Sequence, residues 1–144
     1  MPIKYPLALF LLFTTKILCA AELINLSAND LSNELHSNAL VIDIRTPEEW
    51  QQTGVIPGSH PIMFFDKNGK SDAEQWLTAV KQLQTSPDQE IILVCRSGGR
   101  SGKVGHYLTD QLNMSHVSHL ASGISSWLKE KRPTQKMCSP TQTC

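Results

Sequence analysis

The stretch Ile91-Ile92-Leu93-Val94-Cys95-Arg96-Ser97-Gly98-Gly99-Arg100-Ser101-Gly102 constrains this chain more than any other. Four consecutive large apolar residues suit a strand buried on both faces, the condition of a central strand in a parallel sheet. The strand ends in a cysteine, a short loop with two glycines and two arginines follows, and a helix-forming segment comes next. Backbone N–H groups around a loop that opens a helix converge on one point, and the helix dipole adds positive potential there. Arg96 and Arg100 add full charges. Such surroundings lower a cysteine pKa from about 8.5 towards roughly 3.5–7.5, so Cys95 is expected to be largely thiolate at neutral pH and nucleophilic.

Strand-like and helix-like segments alternate along the rest of the chain, which predicts an α/β domain with a mainly parallel sheet. The expected strands are Leu23–Leu26, Ala39–Asp43, His60–Met63, Ile91–Val94 and Val117–Leu120. Ser27 with Asp30 three residues later reads as the cap of a helix through Leu35. Thr46-Pro47-Glu48-Glu49 reads as the start of a second helix that Gly54 ends. A third begins at Ser71 or Asp72 and carries Trp76, Leu77, Val80 and Leu83 at helical spacing. The helix after the cysteine loop should turn Val104, Tyr107, Leu108 and Leu112 inward, and the last helix should run from Ile124 to Lys131. Trp50, Trp76 and Trp127 are expected in the core. In an open α/β sheet the functional crevice lies beyond the carboxyl ends of the strands, which is where Cys95, Asp43-Arg45 and Met63-Phe64-Phe65 fall.

Residues 1–20 read as a secretory signal: Lys4 opens it, Leu7–Phe13 forms a short apolar core, and Leu18-Cys19-Ala20-Ala21 gives a small-residue exit. The apolar run falls short of the about 20 residues of a membrane-spanning helix. Cleavage is expected after Ala20 or Ala21, giving a periplasmic or secreted product with no membrane attachment, a domain over residues 22–133 and a tail over 134–144. The whole chain has 13 basic and 13 acidic residues. Loss of Lys4 and Lys16 with the signal tips that balance slightly acidic, so no basic field for nucleic acid remains. Cys138 and Cys144 lie in the tail. In an exported chain they are expected to pair with each other; the rival reading has one of them reach Cys95 as a resolving thiol.

Arg100 follows Cys95 after four residues, whereas cysteine-based phosphatases place five between cysteine and arginine. The smaller cradle suits one extra sulfur atom on Cys95 better than a tetrahedral phosphoryl group. The segment CRSGGRS resembles the active-site loop of the rhodanese family of sulfurtransferases. VIDIRTPEEWQQTGVIPGS and HLASGISSWLKEKRP resemble that family's upstream and closing segments, so the likeness spans about Leu23 to Pro133. Val55 stands where the family usually has His, and Ser59 where Ala is usual.

The resemblance implies a three-layer α/β/α fold around a mainly parallel five-stranded sheet. It also implies transfer of sulfane sulfur from thiosulfate or a related donor to cyanide or a thiol, through a persulfide on Cys95. Arg96, Ser97, Gly98, Gly99, Arg100 and Ser101 would hold the substrate. Gly98 and Gly99 would give the loop positive φ and close approach, and Ser101 could also cap the following helix. Arg100 has a second reading as a surface ion pair. Asp43 and Arg45 could brace the loops as an ion pair or contact substrate; Phe64 and Phe65 could wall the pocket or fill the core. The five histidines lack metal-ligand spacing, and neither a metal nor an organic cofactor is expected. Two other functions use the same cysteine: a non-enzymatic persulfide carrier or stress-related binding module, and a small phosphatase or arsenate reductase.

Overall fold

A computed structural model describes Met1 and residues 20–137. The signal expected over residues 1–20 thus lies almost wholly outside the described residues, as do Cys138 and Cys144, the expected disulfide partners. The chain runs β1 (Ile24–Leu26), α1 (Ala28–Glu34), β2 (Leu40–Asp43), α2 (Pro47–Thr53), β3 (His60–Pro61), α3 (Ala73–Leu83), β4 (Ile91–Val94), α4 (Gly99–His106), a π-helical turn (Tyr107–Gln111), β5 (Val117–Leu120) and α5 (Gly123–Lys129). The five strands form one sheet in the order β1-β5-β4-β2-β3, and every pairing between them is parallel.

The alternation of side chains along a strand builds the three layers. Leu40, Ile42, Ile91 and Leu93 face one way, packing with Trp76 and Val80 of α3 and Val104 of α4. Val41, Ile92 and Val94 face the other, against Leu31 of α1 and Ile124 and Trp127 of α5. β2 and β4 are buried at every position, which is why both read as unbroken apolar runs. Cys95 continues the α3/α4 face of β4.

Local chemistry sets the helix starts. Ser27 with Asp30 and Thr46 with Glu49 each form a reciprocal capping box, satisfying N–H groups that the first turn leaves open. Asp72 caps α3 by accepting from the Gln75 N–H at 2.9 Å. Gly54 ends α2 at φ 74°; a Cβ there would lie 2.7 Å from the Gln135 carbonyl oxygen. That approach follows from a two-bond antiparallel bridge between Val55 and Gln135, which pins the start of the tail across the end of α2.

Four expectations need correction. β3 spans two residues, because after Pro61 only Ile62 and Phe64 donate to the β2 end, bonding the carbonyls of Asp43 and Ile44. Leu112 is 40% exposed: the π-helical turn, closed by Leu112 N–H onto Tyr107 C=O, inserts an extra residue and rotates Leu112 off the apolar face. α5 stops at Lys129, with Lys131 at φ 54° leaving the helical path. Trp50 is half-buried, its indole N–H donating to Asp43 Oδ1 at 3.1 Å, whereas Trp76 and Trp127 lie in the core.

Candidate active site

Cys95 sits directly after β4, the strand in the middle of the sheet, and is 1% exposed. The loop from Cys95 to Gly98 curls over its sulfur. Gly98 makes the curl possible: its φ is 95°, and a Cβ there would fall 1.8 Å from the Ala121 carbonyl oxygen. Gly123 closes the same contact from the other side, at φ 60°, where a Cβ would lie 2.4 Å from the Arg96 carbonyl. The cysteine loop and the β5–α5 turn therefore interlock through two glycines. Gly99, the first residue of α4, has open space around its Cα and no positive φ; its freedom is not needed there.

The loop's outward groups are taken by α5. The Cys95 carbonyl accepts from Ile124 N–H at 2.8 Å, and the Arg96 carbonyl from Ser125 N–H at 3.0 Å and Ser125 Oγ–H at 2.7 Å. With those carbonyls turned out, amides turn in. Gly98 N–H donates to Cys95 Sγ at 3.1 Å, and Ser101 Oγ lies 3.3 Å from the same sulfur. Burial pushes the Cys95 thiol up, but the Ser101 hydroxyl and the Ser101, Ser97 and Gly98 amides outweigh it, leaving the thiol below its ordinary value of 9.0. The thiolate is thus favoured mainly by short-range hydrogen bonds to the charged form.

Ser101 lies inside α4, not at its cap; the helix begins at Gly99 with Gly98 before it and has no side-chain cap. This corrects the capping expectation, because the loop is short enough for the helix to start two residues ahead of Ser101. The freed hydroxyl points inward, 3.1 Å from the Gly98 carbonyl and 3.0 Å from His119 Nδ1. His119 Nε2 in turn meets Asn25 Oδ1 at 2.6 Å across the β5–β1 pair. Burial, with a smaller push from His106, holds His119 below the ordinary histidine value.

Arg100 points to the mouth and grips Glu49 with both nitrogens, at 2.6 and 2.8 Å. Glu49 is the same residue that completes the Thr46 capping box, so one carboxylate starts α2 and latches α2 to α4. Its carboxyl, raised by burial, is held below the usual range by Arg100 and the Thr46 amide. Arg96 and Lys103 are exposed, and with Glu49, Ser97, Gly99 and Arg100 they line a cavity of about 500 Å³ above the loop. Asp43 and Arg45 are apart from this mouth in role. They form a buried ion pair at 2.8 Å, and Arg45 also donates to Thr53 Oγ1 at 2.7 Å and Gly54 C=O at 2.8 Å. Phe64 is buried against Trp76, ring centroids 5.0 Å apart.

The structure thus brings Cys95, Gly98 and Ser101 together around one sulfur, and Arg96, Ser97, Gly99 and Arg100 around the mouth above it. Sequence reasoning missed Glu49, His119 and Asn25. His119 carried a signal, a titratable residue in the strand VSHL, all of which is buried.

A parallel sheet carrying a buried, amide-cradled cysteine at the end of its middle strand defines an α/β domain whose cysteine loop is its candidate active site. The Rhodanese-like domain family model matches residues 27–130, and the chain belongs to that family. A protein named "Sulfurtransferase" from Allochromatium vinosum is 29% identical over 96 residues, 67% of this chain and 78% of that protein. A rhodanese domain-containing protein of Drosophila melanogaster is 36% identical over 67 residues, 45% of this chain and 60% of that one. Among solved structures, a rhodanese-related protein from Thermoplasma volcanium superposes with TM-score 0.57 and 25% identity, covering 76% of this chain and 95% of the other. A Rhodopseudomonas palustris protein of unknown function, described as a possible tyrosine phosphatase, shares the fold at TM-score 0.58 and 20% identity, covering 78% of this chain and 85% of the other.

Proposed function

We propose that the chain is a sulfurtransferase that carries sulfane sulfur on Cys95, taking it from thiosulfate or a related donor and passing it to cyanide or a thiol. The observation that carries this reading is the thiol's setting: a sulfur under a four-residue loop, with an amide and a hydroxyl aimed at it. The Cys95 thiolate attacks the outer sulfur of the donor; a sulfur–sulfur bond forms to Cys95 as the donor's own breaks, and sulfite leaves with the bonding pair. The acceptor then attacks the terminal sulfur, and Cys95 leaves as thiolate. This is two-step covalent catalysis with ping-pong kinetics.

The inward amides act on the persulfide as they do on the thiolate, fixed dipoles aimed where negative charge sits. Arg96 and Lys103 draw an anionic donor to the mouth. Arg100 joins them to the extent that the donor displaces Glu49. We also propose, from the leader-like residues 1–20, that the product is periplasmic or secreted.

Incubation with thiosulfate is expected to add one sulfur to Cys95, and cyanide to remove it as thiocyanate; Cys95→Ser should do neither. Hydrolysis of p-nitrophenyl phosphate without sulfur uptake would overturn the reading in favour of a phosphatase. Stable loading without discharge to cyanide or small thiols would leave a persulfide carrier in place of an enzyme.

A further inference from the structure

Cys95 Sγ, Ser101 Oγ, His119 and Asn25 form a continuous chain of hydrogen-bond contacts, 3.3, 3.0 and 2.6 Å in turn. It begins at a thiol closed to solvent and ends at Asn25 on the exposed edge strand β1. The directions along it follow from the outer end. Asn25 Oδ1 can only accept, so His119 donates from Nε2 and keeps a lone pair on Nδ1. Nδ1 then accepts from the Ser101 hydroxyl, whose single proton it shares with the Gly98 carbonyl at 3.1 Å, and Ser101 Oγ keeps a lone pair for the Cys95 thiol.

We propose that His119, acting through Ser101, is the proton acceptor for Cys95, with Asn25 fixing the imidazole's orientation. This inference rests on the reading of Cys95 as the nucleophile. As the Cys95 S–H bond breaks, its proton passes to Ser101 Oγ while the serine's own proton passes to His119 Nδ1. The products are a thiolate and an imidazolium; the serine hydroxyl is regenerated and now donates to the sulfur. The net charge of the relay is unchanged, and no group is oxidised or reduced. Reversal returns the proton to the thiol.

The surroundings suit this role. Burial, with a smaller push from His106, favours the neutral imidazole and so a free lone pair on Nδ1; the same burial makes the imidazolium costly, so it forms only as the counter-charge of the new thiolate. His106 on α4 is the titratable neighbour that acts on His119, and it pairs with Asp110 at 3.2 Å. The flanking strands β1 and β4 carry no titratable side chain. Gly102 on α4 leaves room for the ring: a Cβ there would lie 3.4 Å from His119 Cε1. A histidine that only filled space would not need its Nδ1 on the hydroxyl that touches the nucleophile.

The test is the pH dependence of Cys95 alkylation by iodoacetamide, measured on the full chain alongside thiosulfate loading. His119→Gln keeps an amide that can bond Ser101 but cannot take a proton. Its alkylation at neutral pH is expected to fall about tenfold, the equivalent of one unit in thiol pKa, and its profile to become a single titration at higher pH. Ser101→Ala should lose at least as much, because its own bond to the sulfur goes too. Ser101→Thr should retain the wild-type profile, and the double variant should be no worse than Ser101→Ala, as for groups acting in series. His119→Asn replaces His119→Gln if the glutamine lowers the urea midpoint. A wild-type profile in His119→Gln, or effects of the two single variants that add, overturns the relay while leaving sulfur transfer standing. A wild type that alkylates with the predicted profile but never takes up sulfur overturns sulfur transfer and leaves the relay.

Discussion

Removing Asp43 should cost more stability than any other single charge change in the described residues. Asp43 is 0% exposed and Arg45 1%. Asp43 Oδ1 accepts from Arg45 N–H, Arg45 Nε–H and Trp50 Nε1–H at 3.2, 2.9 and 3.1 Å, and Oδ2 accepts from Arg45 Nη2 at 2.8 Å. In Asp43→Ala the guanidinium keeps only neutral partners, Thr53 Oγ1 and the carbonyls of Gly54 and Glu49. An uncompensated buried charge of this kind costs about 3–5 kcal/mol. At about 4 °C per kcal/mol for a domain of this size, Tm should drop by roughly 12–20 °C. Urea unfolding followed by tryptophan fluorescence measures it, with an unchanged slope showing that the unfolded state is not the cause. The apolar double replacement Asp43→Leu/Arg45→Met should recover most of the loss, because a buried pair contributes little beyond what packed hydrocarbon gives. A cost below about 1 kcal/mol for Asp43→Ala, together with a raised thiosulfate KM, would refute the bracing role and make Asp43 a substrate contact.

Other outcomes follow from the loop. Gly98→Ala should abolish sulfur loading and lower the urea midpoint, since its methyl has no space and its φ is positive, whereas Gly99→Ala should load normally and gain about 0.5–1 kcal/mol from its place in a helix. Arg100→Ala should slow loading by about 10²–10³, the usual loss for one preorganised donor to an anion, with Arg96→Ala losing less. Glu49→Gln, which loosens the grip on Arg100, should speed loading while changing stability by no more than about 1 kcal/mol, as befits a partly exposed pair. Because the Glu49 carboxyl is lowered from 4.5 by its partners, that small contribution is complete above pH 4.5 and fades as the pH falls through the folded value. For the termini, intact mass of protein recovered from a periplasmic extract or the medium should show loss of residues 1–20 or 1–21, a full-length cytoplasmic chain refuting export. Non-reducing peptide mapping should find Cys138 joined to Cys144; a mixed disulfide with Cys95 would give the tail a resolving role instead.

The fold was legible wherever local chemistry and pattern agree. Unbroken apolar runs marked β2 and β4 because both faces of a middle strand are covered. Ser27 and Thr46 marked α1 and α2 because a capping side chain acts within three residues of itself. Legibility failed where a long-range contact or a register change decides. β3 pairs for two residues beside β2, too few to leave an alternating pattern. The π-helical turn has no composition of its own, so Leu112 kept the spacing of a buried residue while losing the position. Gly123 reads as an ordinary turn glycine, and only the carbonyl of Arg96 beneath it explains why a side chain would not fit.

The site divides along the same line. Cys95, Gly98 and Ser101 lie within seven consecutive residues, and the likeness of CRSGGRS to the rhodanese active-site loop points to their shared task around one sulfur. Arg100 could be read as a charge near the mouth, but its partner Glu49 is 51 positions away and already had a sufficient local reason to exist as a capping residue. A residue with a complete local explanation hides its second role. His119 is 18 positions from Ser101 and 94 from Asn25; parallel pairing of the first and last strands brings the ring to Asn25, packing of α4 on β5 brings it to the serine, and nothing in a linear window can. What the strand VSHL does disclose is a cost, since a buried imidazole must have both nitrogens satisfied. Asking where the second nitrogen goes leads to Ser101 and from there to Cys95, so the histidine least explained by its own segment is the one linked to the sulfur under the loop.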